Sequence, residues 1–270
     1  MIKIDFHGGT HGHFLEYVSN VYIMQTPGST ASIFKKDTGS AHDADSTYTS
    51  NRLIRCGHYS QPIYNLNIND DDTIIRIILD SDNDDLFFIA TTNLIYKAGD
   101  IGFETQMTNI PESIRQNAIA YRNDWYSKFN EGNLYSDHYK EFRSISNPIF
   151  KFPFESFFSF NNFCKSLNEL AFFLNQTFFP DESLYQLWTE FIEKNQGQQS
   201  YIKCDQIIQD IFNNKNRELD NLTVIEEAWI NYNLSKICRI YNGDMFDNIT
   251  YPQNTQHIYK EIQEHLSQLR

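Results

Sequence analysis

The sequence predicts an α/β protein, with a mostly parallel central sheet flanked by helices and a helix-rich carboxyl-terminal half. Three observations carry that expectation. Residues 1–6 read as a short strand, followed at once by the glycine-rich run His7-Gly8-Gly9-Thr10-His11-Gly12-His13 and then by apolar periodicity over 14–24. Strand, glycine turn and helix in that order is how α/β proteins present backbone N–H groups to an anion. Residues 73–79 are β-branched and nearly continuous in hydrophobicity, as a buried parallel strand is. From 161 onward, apolar residues recur at helical spacing.

The elements follow in order. Strand 1–6, turn 7–13 and helix 13–25 form the first unit. Residues 26–51 are polar and rich in Ser and Thr, with Pro27, Gly28 and Gly39; they read as a long loop of the kind that often closes over a ligand. Leu53-Ile54-Arg55-Cys56 is a short strand, and Asp70-Asp71-Asp72 a turn before the strand at 73–79. Asp80 to Asp85 is an acidic turn, and helix is favoured over strand from Asp84 to Tyr96. Pro111 suits a first helical turn, and that helix runs to about Phe129. Pro148 and Pro153 bar a helix at 147–154, which is extended. Helices follow at 161–175, after Asp181 as a cap, at 205–213, at 223–241 and at 256–269.

A chain of 270 residues, 40% hydrophobic, can bury a sizeable core. It reads as a single α/β domain over 1–270, with 148–270 as a candidate helical subdomain. The net charge of −13 and the absence of a Lys/Arg cluster argue against a nucleic-acid partner. Any anionic ligand must be held locally, against the global field. Cys56, Cys164, Cys204 and Cys238 are far apart, with no zinc-type spacing. Free thiols, no leader before the first strand and no run of transmembrane length together predict a cytoplasmic protein. The sequons at Asn175, Asn221, Asn233 and Asn248 read as chance matches, those at Asn175 and Asn233 within helices.

Three readings of the turn compete. In the first it is an anion cradle: Gly8 and Gly9 let the backbone approach a ligand, Thr10 offers a hydroxyl, and the amides of His11, Gly12 and His13 open a helix whose dipole favours negative charge. No G-x-x-x-x-G-K-[ST] pattern is present, so ATP hydrolysis is not expected. The run Gly8-Gly9-Thr10-His11 leading into Phe14-Leu15 resembles the phosphosulfate-binding loop of PAPS-dependent sulfotransferases. Phe154-Glu155-Ser156-Phe157-Phe158, continuing through Phe163 and Leu167 to Leu174, is similar to a later segment of that family. Together they span about a quarter of the chain. The resemblance implies a P-loop-like fold, PAPS as sulfuryl donor, and a hydroxyl or amine on a small molecule or glycan as acceptor. It implies that His7 stands where the family has a catalytic lysine, that His11 or His13 serves as base, and that Arg76 and Ser81 answer to the 3′-phosphate site, though at a spacing that departs from the family's.

In the second reading the turn is a metal site. His7-x-Gly9-Thr10-His11 resembles the H-x-G-T-H core of metal-dependent cyclic amidases related to kynurenine formamidase, with His13 in place of their Asp and the following Pro absent. Three imidazoles could then hold zinc, iron or nickel for a hydrolase. In the third reading the glycines only make a sharp turn, and the chain is a nonenzymatic interaction protein. The density of three His in seven residues, at the carboxyl end of a strand where open sheets bind ligands, favours function.

Other candidates have plainer accounts. Lys97, before Gly99, fits a helix end and remains a candidate anion contact. Arg115, Arg122 and Lys128 read as a solvated helix face. His42, Asp43 and Asp45, the acidic turns at 70–72 and 80–85, and Glu226-Glu227 read as exposed surface, and no EF-hand spacing is present. Trp188, Phe191 and Trp229 lie on apolar stripes and read as core.

Overall fold

The computed structural model describes residues 1–6, 9–26, 52–57, 68–79, 83–98, 145–213 and, farther on, 222–223, 226, 229–230 and 232–234. Of the loop expected over 26–51, all but Thr26 lies outside the described residues, as do the helices expected at 111–129 and 256–269, His7, Gly8, Ser81 and the side chain of Lys97.

Among the described residues, four strands form one all-parallel sheet: β1 (Ile2–Asp5), β2 (Ile54–Gly57), β3 (Thr73–Ile78) and β4 (Ile149–Pro153), in the order β2-β1-β3-β4. One face of the sheet is apolar, with Ile4, Ile54, Ile75, Ile77 and Phe152, while the other carries Lys3, Asp5, Arg55, Arg76 and Lys151 among Ile74, Ile78 and Ile149. β4 is the extended stretch at 147–154. Its register sets Ile74 against Ile149 and Ile78 against Pro153. Pro153 is tolerated there because it ends a strand that lies outermost among the described ones. The start of the candidate subdomain over 148–270 supplies a strand to the same sheet as β1.

The helices are α1 (Gly12–Val18), α2 (Asp84–Ala98), α3 (Phe160–Phe173), α4 (Glu182–Lys194) and α5 (Gln196–Phe212). Each has a local cause. Asn83 accepts the Leu86 N–H at the start of α2, and Asp181 caps α4 by accepting the Leu184 N–H at 3.1 Å. α3 ends in a Schellman turn: Asn175 adopts φ 54°, its N–H reaches the Phe172 carbonyl, and Gln176 N–H reaches that of Ala171. Asn175 thus closes the helix from outside it. α5 starts nine residues before the predicted 205, because Asn195 accepts the Gln198 N–H. Gly197 lets α5 lie against α2; a Cβ there would meet the Ile89 carbonyl at 2.3 Å.

α1 does not run on to Gln25 as a plain α-helix. It passes into a π-helical segment, Ser19–Ile23. The buried Asn20 side chain explains the change. Its Nδ2 donates to the carbonyls of Glu16 and Ile54, and its Oδ1 accepts from the N–H groups of Leu53 and Ile54. One carboxamide thereby ties this helix to the start of β2.

A single core joins the first third of the chain to the later helices. Phe14 stacks on Phe191 with centroids 3.9 Å apart, and Phe152, Phe157 and Phe163 surround them. Phe191 and Trp229 are buried as expected. Trp188 is half-buried and donates its indole N–H to the Phe157 carbonyl. Cys56, Cys164 and Cys204 are free thiols. Among the described residues, no helix is long and apolar enough to cross a membrane.

Two expectations of solvated acids are corrected. Asp72 is buried and takes the Lys3 ammonium. Glu226 is 3% exposed and forms a capping box with Thr223, each accepting the other's backbone N–H, while also pairing with Lys203. The acidic run before α2 is not purely solvent-facing either: Asp84 and Asp85 accept from Tyr232 and Tyr201.

Candidate functional site

The strand order creates one topological switch point. The chain leaves β1 for β2 on one side and returns to β3 on the other, and the carboxyl edge at such a point is where open α/β sheets bind ligands. The glycine-rich turn lies there, between Asp5 and α1.

Two of the turn's described residues have left-handed backbones, Gly9 at φ 84° and His11 at φ 66°. Glycine takes that region without cost; histidine does not. His11 is held in it by its surroundings. Its ring is buried among Phe154, Phe157, Phe158 and Phe191, at 4.8–6.0 Å between centroids. Asn195 donates to its Nε2 at 2.9 Å, and Asn93 approaches the same nitrogen at 3.4 Å.

The orientation of both amides follows from the backbone. Asn195 Oδ1 accepts from Gln198 N–H and Asn93 Oδ1 from Gly197 N–H, so both NH₂ groups face the imidazole. Nε2 is therefore an acceptor, and the proton of the neutral ring sits on Nδ1. Asn93 also donates to the Gly9 carbonyl at 3.3 Å. α2 and the α4–α5 junction thus grip the turn from behind, through its carbonyl and its imidazole.

Gly12 has a packing role. A Cβ there would lie 2.2 Å from the Phe6 ring, so the glycine lets the start of α1 settle onto the end of β1. Thr10 is fully buried beside it.

Arg76 lies opposite Asp5 in register and donates from Nε to Asp5 Oδ2 at 2.9 Å. Both side chains are buried. A buried pair of this kind gives little net stability but is costly to break. Its cation stands at the correct edge for an anion, with part of its charge already balanced by Asp5.

His13 has different company from His11. Its Nδ1 lies 3.0 Å from Cys56 Sγ and 3.7 Å from Glu16 Oε2, and Cys56 Sγ approaches the same Glu16 oxygen at 2.6 Å. Arg52 binds the other Glu16 oxygen at 2.9 Å. Burial, and then the Glu16 carboxylate, push the Cys56 thiol well above its ordinary range. A thiol so raised stays protonated at neutral pH and is no nucleophile.

Of the residues singled out from sequence, Gly9, Thr10, His11 and Gly12 share the turn, and Arg76 stands beside it across β1. Sequence reasoning passed over Asn93, Asn195, Asp5, Glu16 and Cys56 as site residues. Glu16 carried a signal: a lone acid in the apolar run Phe14-Leu15-Glu16-Tyr17-Val18, three residues after His13 and so on the same face. Asn195 carried one as the cap of an Asn-x-x-Gln box. Asn93 and Cys56 are distant in sequence from everything they touch.

Set against protein-family models, curated proteins and solved structures, the chain matches none.

Proposed function

We propose that the 7–13 turn is a nucleotide-type anion cradle and that the protein is a sulfotransferase-like enzyme, moving a sulfuryl group from PAPS to a hydroxyl or amine acceptor. The observation that carries the reading is the left-handed backbone at Gly9 and His11, located at the switch point of a parallel sheet. A non-glycine residue in that region costs on the order of 1–3 kcal/mol and persists where the surroundings over-determine it. Here Asn93, Asn195 and a phenylalanine box do so. Preorganised main chain of this kind is what stabilises charge on a transferring group, because no reorganisation is needed at the moment of reaction.

In this proposal the main chain of Gly9, Thr10, His11 and Gly12 holds the sulfate-bearing end of the donor. PAPS supplies the activated sulfuryl group. His11 is a positioning residue, since its Nε2 already accepts from Asn195 and it lies among phenylalanines. His7 keeps the role that the resemblance implies, hydrogen bonding to the leaving group. Arg76, with Ser81, is proposed for the 3′-phosphate, and Asp5 would fix its guanidinium.

The cyclic-amidase alternative gains less support. It needs converging imidazoles, and His11 and His13 are engaged by different partners.

Thermal unfolding with PAP, ATP and inorganic sulfate tests the reading. Millimolar PAP is expected to raise the midpoint, by an amount equivalent to about 2.7 kcal/mol at a hundredfold excess over Kd, and to do so more than ATP. No shift with PAP would overturn it.

A further inference from the structure

One turn into α1, on the side facing β2, three donors of different chemistry converge. His13 supplies an imidazole nitrogen, Glu16 a carboxylate oxygen and Cys56 a sulfur, all within 4.8 Å of one another. Among the described residues they form the one such group of three His, Cys, Asp or Glu, although the chain carries 35 acidic residues. We propose that these three side chains bind a zinc-class divalent cation. The inference is independent of the anion cradle and concerns a different set of atoms.

The donor set selects the metal class. A thiolate and an imidazole favour zinc and its borderline-soft neighbours over magnesium or calcium, which prefer oxygen alone. Two anionic donors and one neutral donor match a dication. His13 and Glu16 stand at i and i+3 on one helix face, and Cys56 is the penultimate residue of the adjoining strand, so the ion would staple α1 to β2.

The spacings are close to what a tetrahedral ion needs. Metal–ligand bonds of about 2.0–2.3 Å set neighbouring donors roughly 3.5 Å apart. The observed separations are 3.7 Å for His13 to Glu16, 3.0 Å for His13 to Cys56 and 2.6 Å for Cys56 to Glu16. Withdrawing Sγ by about 1 Å, a small rotation of one half-buried side chain, would complete the triangle. On binding, the Cys56 S–H proton leaves to solvent and the sulfur takes the metal in its place. Arg52 on the second Glu16 oxygen orients the carboxylate from outside, as partners beyond the ligands commonly do. Three protein donors leave a fourth position for water, on the side where His13 is 22% exposed.

The test uses the full chain without an affinity tag, stripped with a chelator and titrated with cobalt(II) chloride, then zinc chloride, in the absence of nucleotide. One equivalent of cobalt should bind, with a sulfur-to-cobalt charge-transfer absorption, and zinc should displace it. Cys56→Ser should abolish that absorption, His13→Asn should weaken binding at least about tenfold, and Cys164→Ser should change neither. His13 is partly exposed, so its variant keeps the proposal testable if Cys56→Ser does not fold. A wild-type protein without the absorption, an absorption that survives Cys56→Ser, or unchanged affinity in His13→Asn would overturn the site. None of these readings depends on PAP.

Discussion

At the amino-terminal edge of the sheet, Lys3, Asn69, Asp72 and Asn147 close on one another. Asp72 takes the Lys3 ammonium and the Asn69 N–H, and Asn147 donates to the carbonyls of Asn69 and Asp72. At the carboxyl edge, the buried amides of Asn93 and Asn195 hold a left-handed histidine and a glycine carbonyl, and a buried carboxylate meets a half-buried thiol and imidazole. The first network finishes the ends of strands and asks nothing unusual of the backbone. The second keeps the backbone in a conformation it would not choose. Polar groups that hold a left-handed backbone, at the end where parallel sheets bind ligands, are what the proposed anion cradle rests on.

The largest expected effect comes from the Asp5–Arg76 pair. Arg76→Ala or Asp5→Ala leaves a buried charge alone and should cost about 3–5 kcal/mol in urea unfolding. Replacing both with leucine should recover most of that loss if the pair is structural only, and should still abolish PAP binding if Arg76 serves the ligand.

At the opposite edge, Asp72 gives a pH-dependent test. Burial alone would raise its carboxyl, but the hydrogen bonds from Lys3 and the Asn69 N–H outweigh it and hold the group at about 2, against 3.8 ordinarily. A lowered carboxyl pKa stabilises the fold above the unfolded value and loses that contribution as pH falls through the folded one. Asp72→Asn should therefore cost about 2 kcal/mol at neutral pH. The gap to wild type should close between about pH 4 and pH 2, with nucleotide binding untouched.

Asn93→Ala sharpens the contrast. It strips partners from the Gly197 N–H and the Gly9 carbonyl and should cost about 1–3 kcal/mol. Unlike Asp72→Asn, it should also weaken PAP binding measured at a temperature where the variant is folded. An effect of the same order, about 1–3 kcal/mol, is expected for Gly12→Ala, whose new methyl meets the Phe6 ring. Phe6→Leu in the same chain should relieve part of it.

What the sequence disclosed follows the range of the forces involved. The opening strand–turn–helix unit, β3, α2, α3 and the Asp181-capped α4 were readable because their periodicity and caps are local. β4 read only as extended because Pro148 and Pro153 flank just four residues, and its identity as a strand rests on pairing with β3. The early start of α5 was hidden behind Gln196-Gly197-Gln198, where the glycine serves a close approach to α2. The turn stood out by composition. The grip on it did not: Asn93 and Asn195 act across 82 and 184 positions of chain, and Cys56 meets Glu16 across 40.

The central claim is that the strained turn is an anion cradle, and titration calorimetry with PAP on wild type and Gly9→Ala tests it most directly. Gly9 sits at φ 84°, a region a Cβ disfavours, so the account predicts PAP binding by the wild type and at least about tenfold weaker binding by the variant, a difference of about 1.4 kcal/mol. Equal affinity in the two proteins, or no heat of binding in either, would contradict it.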